Sequence, residues 1–278
     1  MTRSFDILGS PDQPESPVVI SVPHAGRDYP FALRANLRVP AEMLAVLEDR
    51  HIDAVALAAR GAETLFVQRV GRAWIDLNRA EHERDSGIDD GAPAGHPSPK
   101  VRGGLGIVPR RTARTGELWQ RRFPAEEIAA RIAADHRPYH AALSHALERA
   151  RARFGRAVLL DLHSMPPIPG SGARFVTGDR FGRACGVRFI RRAEAVIARA
   201  GLHCVRNAPY AGGHILERHG NPAAHIHAIQ LELDRSLYLD HAMDQPGAGV
   251  EPMAALIRAM IDALAEEALD NPGTLAAE

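Results

Sequence analysis

The stretch Ala157-Val158-Leu159-Leu160-Asp161-Leu162-His163-Ser164 constrains this chain more than any other. It is an unbroken aliphatic run that turns polar where it ends. A run of this length, preceded by a Gly-containing turn and an apparent helix, fits a strand covered on both faces, as in parallel sheets. In open α/β sheets, ligands bind in the crevice at the carboxyl ends of the strands. Asp161, His163 and Ser164 stand at such an end. The bland alternative is that Asp161 and His163 only cap a turn. Other strands that finish in the same way weigh against it.

Those strands alternate with helical spacing along the chain. Val18–Val22 is β-branched and is stopped by Pro23, and the Gly/Pro loop His24–Pro30 follows. Apolar residues at helical intervals run over 41–60 and stop at Gly61. Thr64–Val67 reads as a second strand and Ala73–Arg79 as a third that ends on polar groups. Residues 124–153 give one or two helices, from Pro124 at a plausible first position. Beyond the 157–164 run come a strand at 174–177, a helix at 187–200, a short strand at 203–205 and a polar loop at 206–222. A period-two strand at 226–233 and a closing amphipathic helix at 250–269 complete the pattern. This order predicts an α/β fold: a mixed, mostly parallel central sheet with helices on both faces.

A single domain over residues 1–278 is expected, with 1–16 as a loose Ser/Pro arm and 80–116 as a long Gly/Pro insertion. The insertion carries Lys100, Arg102, Arg110, Arg111 and Arg114, which read as a solvated cluster rather than an anion site. Its Gly103-Gly104-x-Gly106 lacks the strand-before, helix-after context of a phosphate loop. Lys+Arg and Asp+Glu balance at 34 each, so bulk charge points to neither nucleic acid nor an anionic membrane. The two cysteines, Cys185 and Cys204, form no CxxC motif and suggest a reducing compartment. No apolar signal core and no membrane-length run is visible, so a cytoplasmic protein with a small-molecule substrate is expected.

Reactive groups recur at the strand ends and the loops beside them: His24, Asn78-Arg79, Asp161 with His163, and Glu232. The helical stretch between the first two carries Asp49-Arg50-His51. Two imidazoles and a carboxylate are the minimum for a catalytic zinc that keeps a position for water, whose pKa it lowers toward about 7. A further carboxylate, not a ligand, has to move the proton. An arginine fork suits a substrate carboxylate. Alone, His24 also fits a turn residue, and Glu232 a solvent-facing position on an alternating strand.

Val22-Pro23-His24-Ala25-Gly26, Asp49-x-His51, Ile75-Asp76-Leu77-Asn78-Arg79, Asp161-x-His163-Ser164, Gly212-Gly213-His214-Ile215 and Ile229-Gln230-Leu231-Glu232-Leu233 occur in that order over residues 18–240. Together they resemble the N-formylglutamate amidohydrolase family. That family is similar to the zinc carboxypeptidases and aspartoacylases. The resemblance implies a phosphorylase/hydrolase-like fold, Zn2+ or another divalent metal, and hydrolysis of N-formyl-L-glutamate to formate and L-glutamate in one route of histidine breakdown. A related zinc deacylase or carboxypeptidase with another substrate is the alternative, since the insertion is long enough to reshape a pocket. Carried over by position, His24 and His163 are metal ligands. Asp49 is the third, with Asp28 as the competing choice, because Arg27 stands where the carboxypeptidase-type relatives place a glutamate. Asp161 is then a carboxylate that orients an imidazole. Asn78 and Arg79 hold the substrate carboxylate, Arg72 polarises the scissile carbonyl, Glu232 is the general base and acid, and His214 lines the substrate pocket.

Overall fold

Residues 3–270 are described by a computed structural model. In chain order they form β1 (Phe5–Leu8), β2 (Val18–Val22), α1 (Phe31–Arg34), a 3-10 segment (Ala41–Leu47), α2 (Ile52–Ala59), β3 (Thr64–Gln68) and α3 (Pro99–Arg102). A small hairpin, β4 (Arg111–Thr112) and β5 (Gly116–Glu117), precedes α4 (Ala125–Arg131), a π turn (Ile132–His136) and α5 (Arg137–Phe154). Then come β6 (Ala157–Met165), β7 (Phe175–Gly178), α6 (Val187–Arg199), β8 (Cys204–Arg206), α7 (His214–His219), β9 (Ile226–Asp234) and α8 (Val250–Leu269).

Seven strands make one sheet in the order β1-β3-β2-β6-β9-β7-β8. β2 runs parallel to β6, β6 parallel to β9, and β7 parallel to β8, while β7 meets β9 antiparallel. This is the mixed, mostly parallel α/β architecture that the alternating strands and helices predict. β6 and β9 are buried along all nine of their residues, so both faces of the sheet's centre are covered. That is why β6 shows an aliphatic run and no polar alternation. α2, α6 and α8 pack together, with α8 against both of the others. Among the described residues no helix is long and apolar enough to cross a membrane.

Contacts divide the chain into two compact units. One comprises Met1–Asp6, Pro23–Arg50 and Val67–Ala142; the other comprises Ile7–Val22, His51–Phe66 and Leu143–Glu278.

The structure departs from the sequence reading at several places, among them 206–222, read as a polar loop, which holds α7. Residues 5–8, within the stretch read as a loose arm, form β1, with Phe5 buried against Tyr139 at a ring separation of 5.1 Å. Four residues between Ser and Pro clusters are too short a period-two signal to stand out. The helical spacing of 41–60 is interrupted: a 3-10 segment ends at Leu47, and α2 starts only after His51, whose φ is 56°. Ala73–Arg79 is not a strand. Its backbone turns, because the Asp76 carboxylate accepts from the Asn78 N–H at 2.8 Å and the Asp76 N–H donates to Ile107 of the insertion at 2.7 Å. The helix over 124–153 holds a π turn, and Pro138 supplies the reason: it lacks the N–H that would bond back to Ala134.

Candidate active site

His24 follows β2 by two residues. Pro23 ends the strand, and the turn beyond it is tight: a Cβ on Gly26 would sit 2.2 Å from the Val70 carbonyl oxygen, so only glycine fits. The His24 carbonyl accepts from the Asp49 N–H at 2.9 Å, which draws the break between the 3-10 segment and α2 against the histidine. The break that periodicity misses is therefore what delivers Asp49. Its Oδ2 lies 3.5 Å from His24 Nδ1, and both side chains are buried. Asp28, the competing carboxylate, has a side chain 62% exposed and lies 3.8 Å from the exposed Arg69.

On its other nitrogen, His24 Nε2 lies 2.8 Å from Asp76 Oδ1. Asp76 is fully buried and also accepts from Arg72 Nε at 2.8 Å, with Arg79 Nη2 at 3.8 Å. Burial alone would raise this carboxyl; Arg72, Arg79 and His24 together outweigh it and hold it well below the usual carboxylate range. An ionised Asp76 only accepts, so His24 donates from Nε2. In the neutral ring the Nδ1 lone pair then faces the Asp49 carboxylate. Two electron-pair donors turned toward each other at this distance suit a shared cation. Sequence reading assigned no role to Asp76. The signal was present in Ile75-Asp76-Leu77-Asn78-Arg79, but a strand assignment there hides the turn that points Asp76 at His24.

Arg79 is buried, and burial lowers its pKa. Its Nε donates to the Leu105 carbonyl at 2.8 Å and its Nη1 to the Asn78 carbonyl at 2.6 Å. Asn78 is buried beside it. The insertion is thus ordered around this segment and not merely solvated. Glu83 organises it, accepting from the Ala80 N–H at 3.0 Å and from Ser98 Oγ at 2.9 Å, while its carbonyl accepts from the Ile107 N–H at 2.7 Å. Arg110, read as part of a solvated cluster, is tied to Asp85 and Glu117.

A second group of side chains stands on the sheet. β6 and β9 pair so that Asp161 lies opposite Gln230 and His163 opposite Glu232; β2 places Ser21 opposite Asp161. Parallel register and the period of two put all five on one face. Ser21 Oγ donates to Asp161 Oδ1 at 2.7 Å, and His163 Nε2 lies 2.9 Å from Asp161 Oδ2. The histidine pattern repeats: Nε2 lies against a buried carboxylate, as it does in His24. Such backing by a carboxylate is usual for metal-binding imidazoles.

Gln230 Nε2 donates to Glu232 Oε1 at 2.9 Å, and Gln230 Oε1 accepts from the Gly213 N–H at 3.2 Å. Glu232 is buried, and His214 is the first residue of α7, directly after Gly213. Gly178, opposite Gln230 on β7, allows this approach, since a Cβ there would meet the backbone of Ala211 at 2.8 Å. Gln230, which the sequence reading did not single out, links Glu232 to the loop that carries His214.

Comparison with known proteins agrees with this arrangement of motifs. The profile of the N-formylglutamate amidohydrolase family matches residues 16–239. An N-formylglutamate deformylase of Pseudomonas putida is 35% identical over 232 residues, covering 81% of this chain and 82% of that protein. One of Pseudomonas aeruginosa is 33% identical over 262 residues, covering 91% and 92%. The crystal structure of N-formylglutamate amidohydrolase from Ralstonia eutropha JMP134 superposes with a TM-score of 0.82 at 31% identity, over 96% of this chain and 98% of that one. A gene product of Agrobacterium tumefaciens shares the fold at a TM-score of 0.69 and 17% identity, over 96% of each chain. The chain belongs to the N-formylglutamate amidohydrolase family.

Proposed function

We propose that this protein hydrolyses the amide bond of N-formyl-L-glutamate, giving formate and L-glutamate, and that it does so with a divalent cation, zinc in the first instance, held by His24, Asp49 and His163. The names of the Pseudomonas and Ralstonia relatives support the substrate. The observation that carries the cation is the repeated pairing of each imidazole with a buried carboxylate at Nε2, His24 with Asp76 and His163 with Asp161. All three proposed ligands are buried, and each offers one donor atom. Nitrogen and carboxylate donors of this kind suit zinc and several other divalent ions.

A cation bound there supplies Lewis-acid polarisation and favours deprotonation of water at neutral pH. The protein's own groups do the rest. Glu232 accepts the proton of the water that attacks the formyl carbon and delivers it to the amide nitrogen as the C–N bond breaks. The hydrogen bond from Gln230 holds one of the Glu232 carboxylate oxygens in place. Arg72, with Nε engaged by Asp76, meets the developing oxyanion through its terminal amino groups. Arg79 and Asn78 hold a substrate carboxylate, and His214 lines the pocket beyond it. The reaction belongs to histidine breakdown on this reading.

Glu232→Gln tests the assignment, because it keeps shape and hydrogen bonding and removes the base. Turnover should fall by about 10²-fold to 10⁴-fold while the protein keeps its metal. A metal-loaded Gln variant with wild-type turnover removes Glu232 from the mechanism. Assay of the wild type against N-formyl, N-acetyl and peptide substrates tests the substrate: preference for an acetyl or peptide compound would assign a deacylase or carboxypeptidase activity instead.

A further inference from the structure

Two histidines with no role in the mechanism above lie in the helical stretch after α4. His136 and His140 are both fully buried, with ring centroids 4.3 Å apart. Full burial of two imidazoles is costly unless each is bonded. His136 Nε2 lies 2.8 Å from the Arg79 carbonyl oxygen, and His140 Nε2 lies 3.0 Å from the Leu77 carbonyl oxygen. A carbonyl can only accept, so both rings donate. The two carbonyls flank Asn78. Thus a pair of imidazoles one helical turn apart grips the peptide units on either side of the residue pair assigned to the substrate carboxylate.

The turn that presents them is specialised. His136 closes the π turn, and π turns within α-helices are frequent at functional sites. Asp135 in the same turn accepts from Trp74 Nε1 at 2.7 Å. The Arg131 guanidinium lies 3.9 Å from the Trp74 ring centroid and 4.5 Å from that of Phe123. The helical stretch is therefore docked on Trp74 and Phe123 at points other than the two histidines. The specific contribution of the histidines is to hold the carbonyls of Leu77 and Arg79. The Arg79 side chain is held by its own neighbours, so what the imidazoles set is the orientation of the peptide from which it and Asn78 project.

We propose that His136 and His140 are positioning residues for substrate binding, acting through the Leu77-Asn78-Arg79 backbone. This rests on the assignment of Arg79 and Asn78 to the substrate carboxylate. Such a role affects capture of the carboxylate more than the chemical step, so it shows in KM and leaves kcat nearly unchanged.

The test compares His136→Leu with His136→Gln, and His140→Leu with His140→Gln, in steady-state kinetics on N-formyl-L-glutamate, with Arg79→Gln as reference. Glutamine places an N–H donor at the position of Nε2; leucine has none. Each leucine variant should raise KM roughly tenfold, the scale of one lost hydrogen bond, with kcat within about twofold. Each glutamine variant should restore most of the wild-type KM. If a leucine variant does not fold, asparagine replaces it, since its donor falls one bond short of the carbonyl. Wild-type KM in the donor-less variants, or equal damage from glutamine, overturns the proposal. If Arg79→Gln raises KM and the donor-less variants do not, the positioning role alone fails. If Arg79→Gln leaves KM unchanged, the carboxylate assignment fails, and the positioning role with it.

Discussion

Each candidate ligand imidazole carries a buried carboxylate on Nε2, and the two carboxylates have different surroundings. Asp76 sits among Arg72, Arg79 and His24, so its charge is shared by three partners. Replacing it would leave two arginines without their anion, an outcome that mixes stability with function. Asp161 is bonded by only Ser21 and His163 in the hydrogen bonds described above, which makes it the cleaner probe. Asp161→Asn keeps an acceptor for one neighbour and removes the carboxylate behind His163. Metal affinity should weaken about 10-fold to 100-fold, read by competition with a chromophoric chelator. Unchanged affinity would show that His163 binds no ion. Of these residues, His24, His163, Asp161 and Glu232 were legible from their chemistry at strand ends. Asp76 and Gln230 were not. Asp76 acts on a neighbour 52 residues away, a distance with no signature in one sequence, and the alternation that puts Gln230 beside Glu232 does not show the hydrogen bond between them.

Elements decide which of these groups share a face. β9 carries Gln230 and Glu232 on one side and His227 on the other, by the period of two. His227 stacks on Phe189 with ring centroids 4.1 Å apart, and its Nδ1 accepts from the Gly186 N–H at 3.2 Å. Burial, followed by repulsion from Arg188, lowers its pKa from 6.5 to about 4. The sign follows from linkage: the unfolded chain takes up this proton at higher pH than the folded one. Stability from neutral His227 is complete above pH 6.5 and declines as pH falls toward 4. The difference in melting temperature between wild type and His227→Gln should therefore shrink as pH is lowered from 7 to 4.5. A constant difference would mean that His227 titrates normally. The sheet itself was legible because β6 and β9 are long and patterned. The 41–60 region and 73–79 were not, since apolar spacing continues through a break set by Asp49 and a turn set by Asp76. Pro138 marked the π turn, but proline in a helical pattern equally fits a kink or a stop.

For the molecule as a whole, balanced charge and a covered sheet describe a scaffold suited to a small substrate. The motifs in order along residues 16–239 fix the family. Fold class was readable from the alternation of strands and helices; the ordered insertion was not, because each bond that holds it through Glu83, Leu105 and Ile107 has a backbone group as a partner, and backbone groups carry no residue-type signal. On the proposed reading, the buried donors His24, Asp49 and His163 hold one divalent ion. The direct test is elemental analysis of the purified protein by plasma mass spectrometry, alongside His24→Ala, Asp49→Ala and His163→Ala. About one divalent ion per chain is expected in the wild type, with most of it lost in each variant. Full metal content in the His163→Ala protein, or wild-type turnover from protein that contains none, would contradict a cation shared by His24, Asp49 and His163.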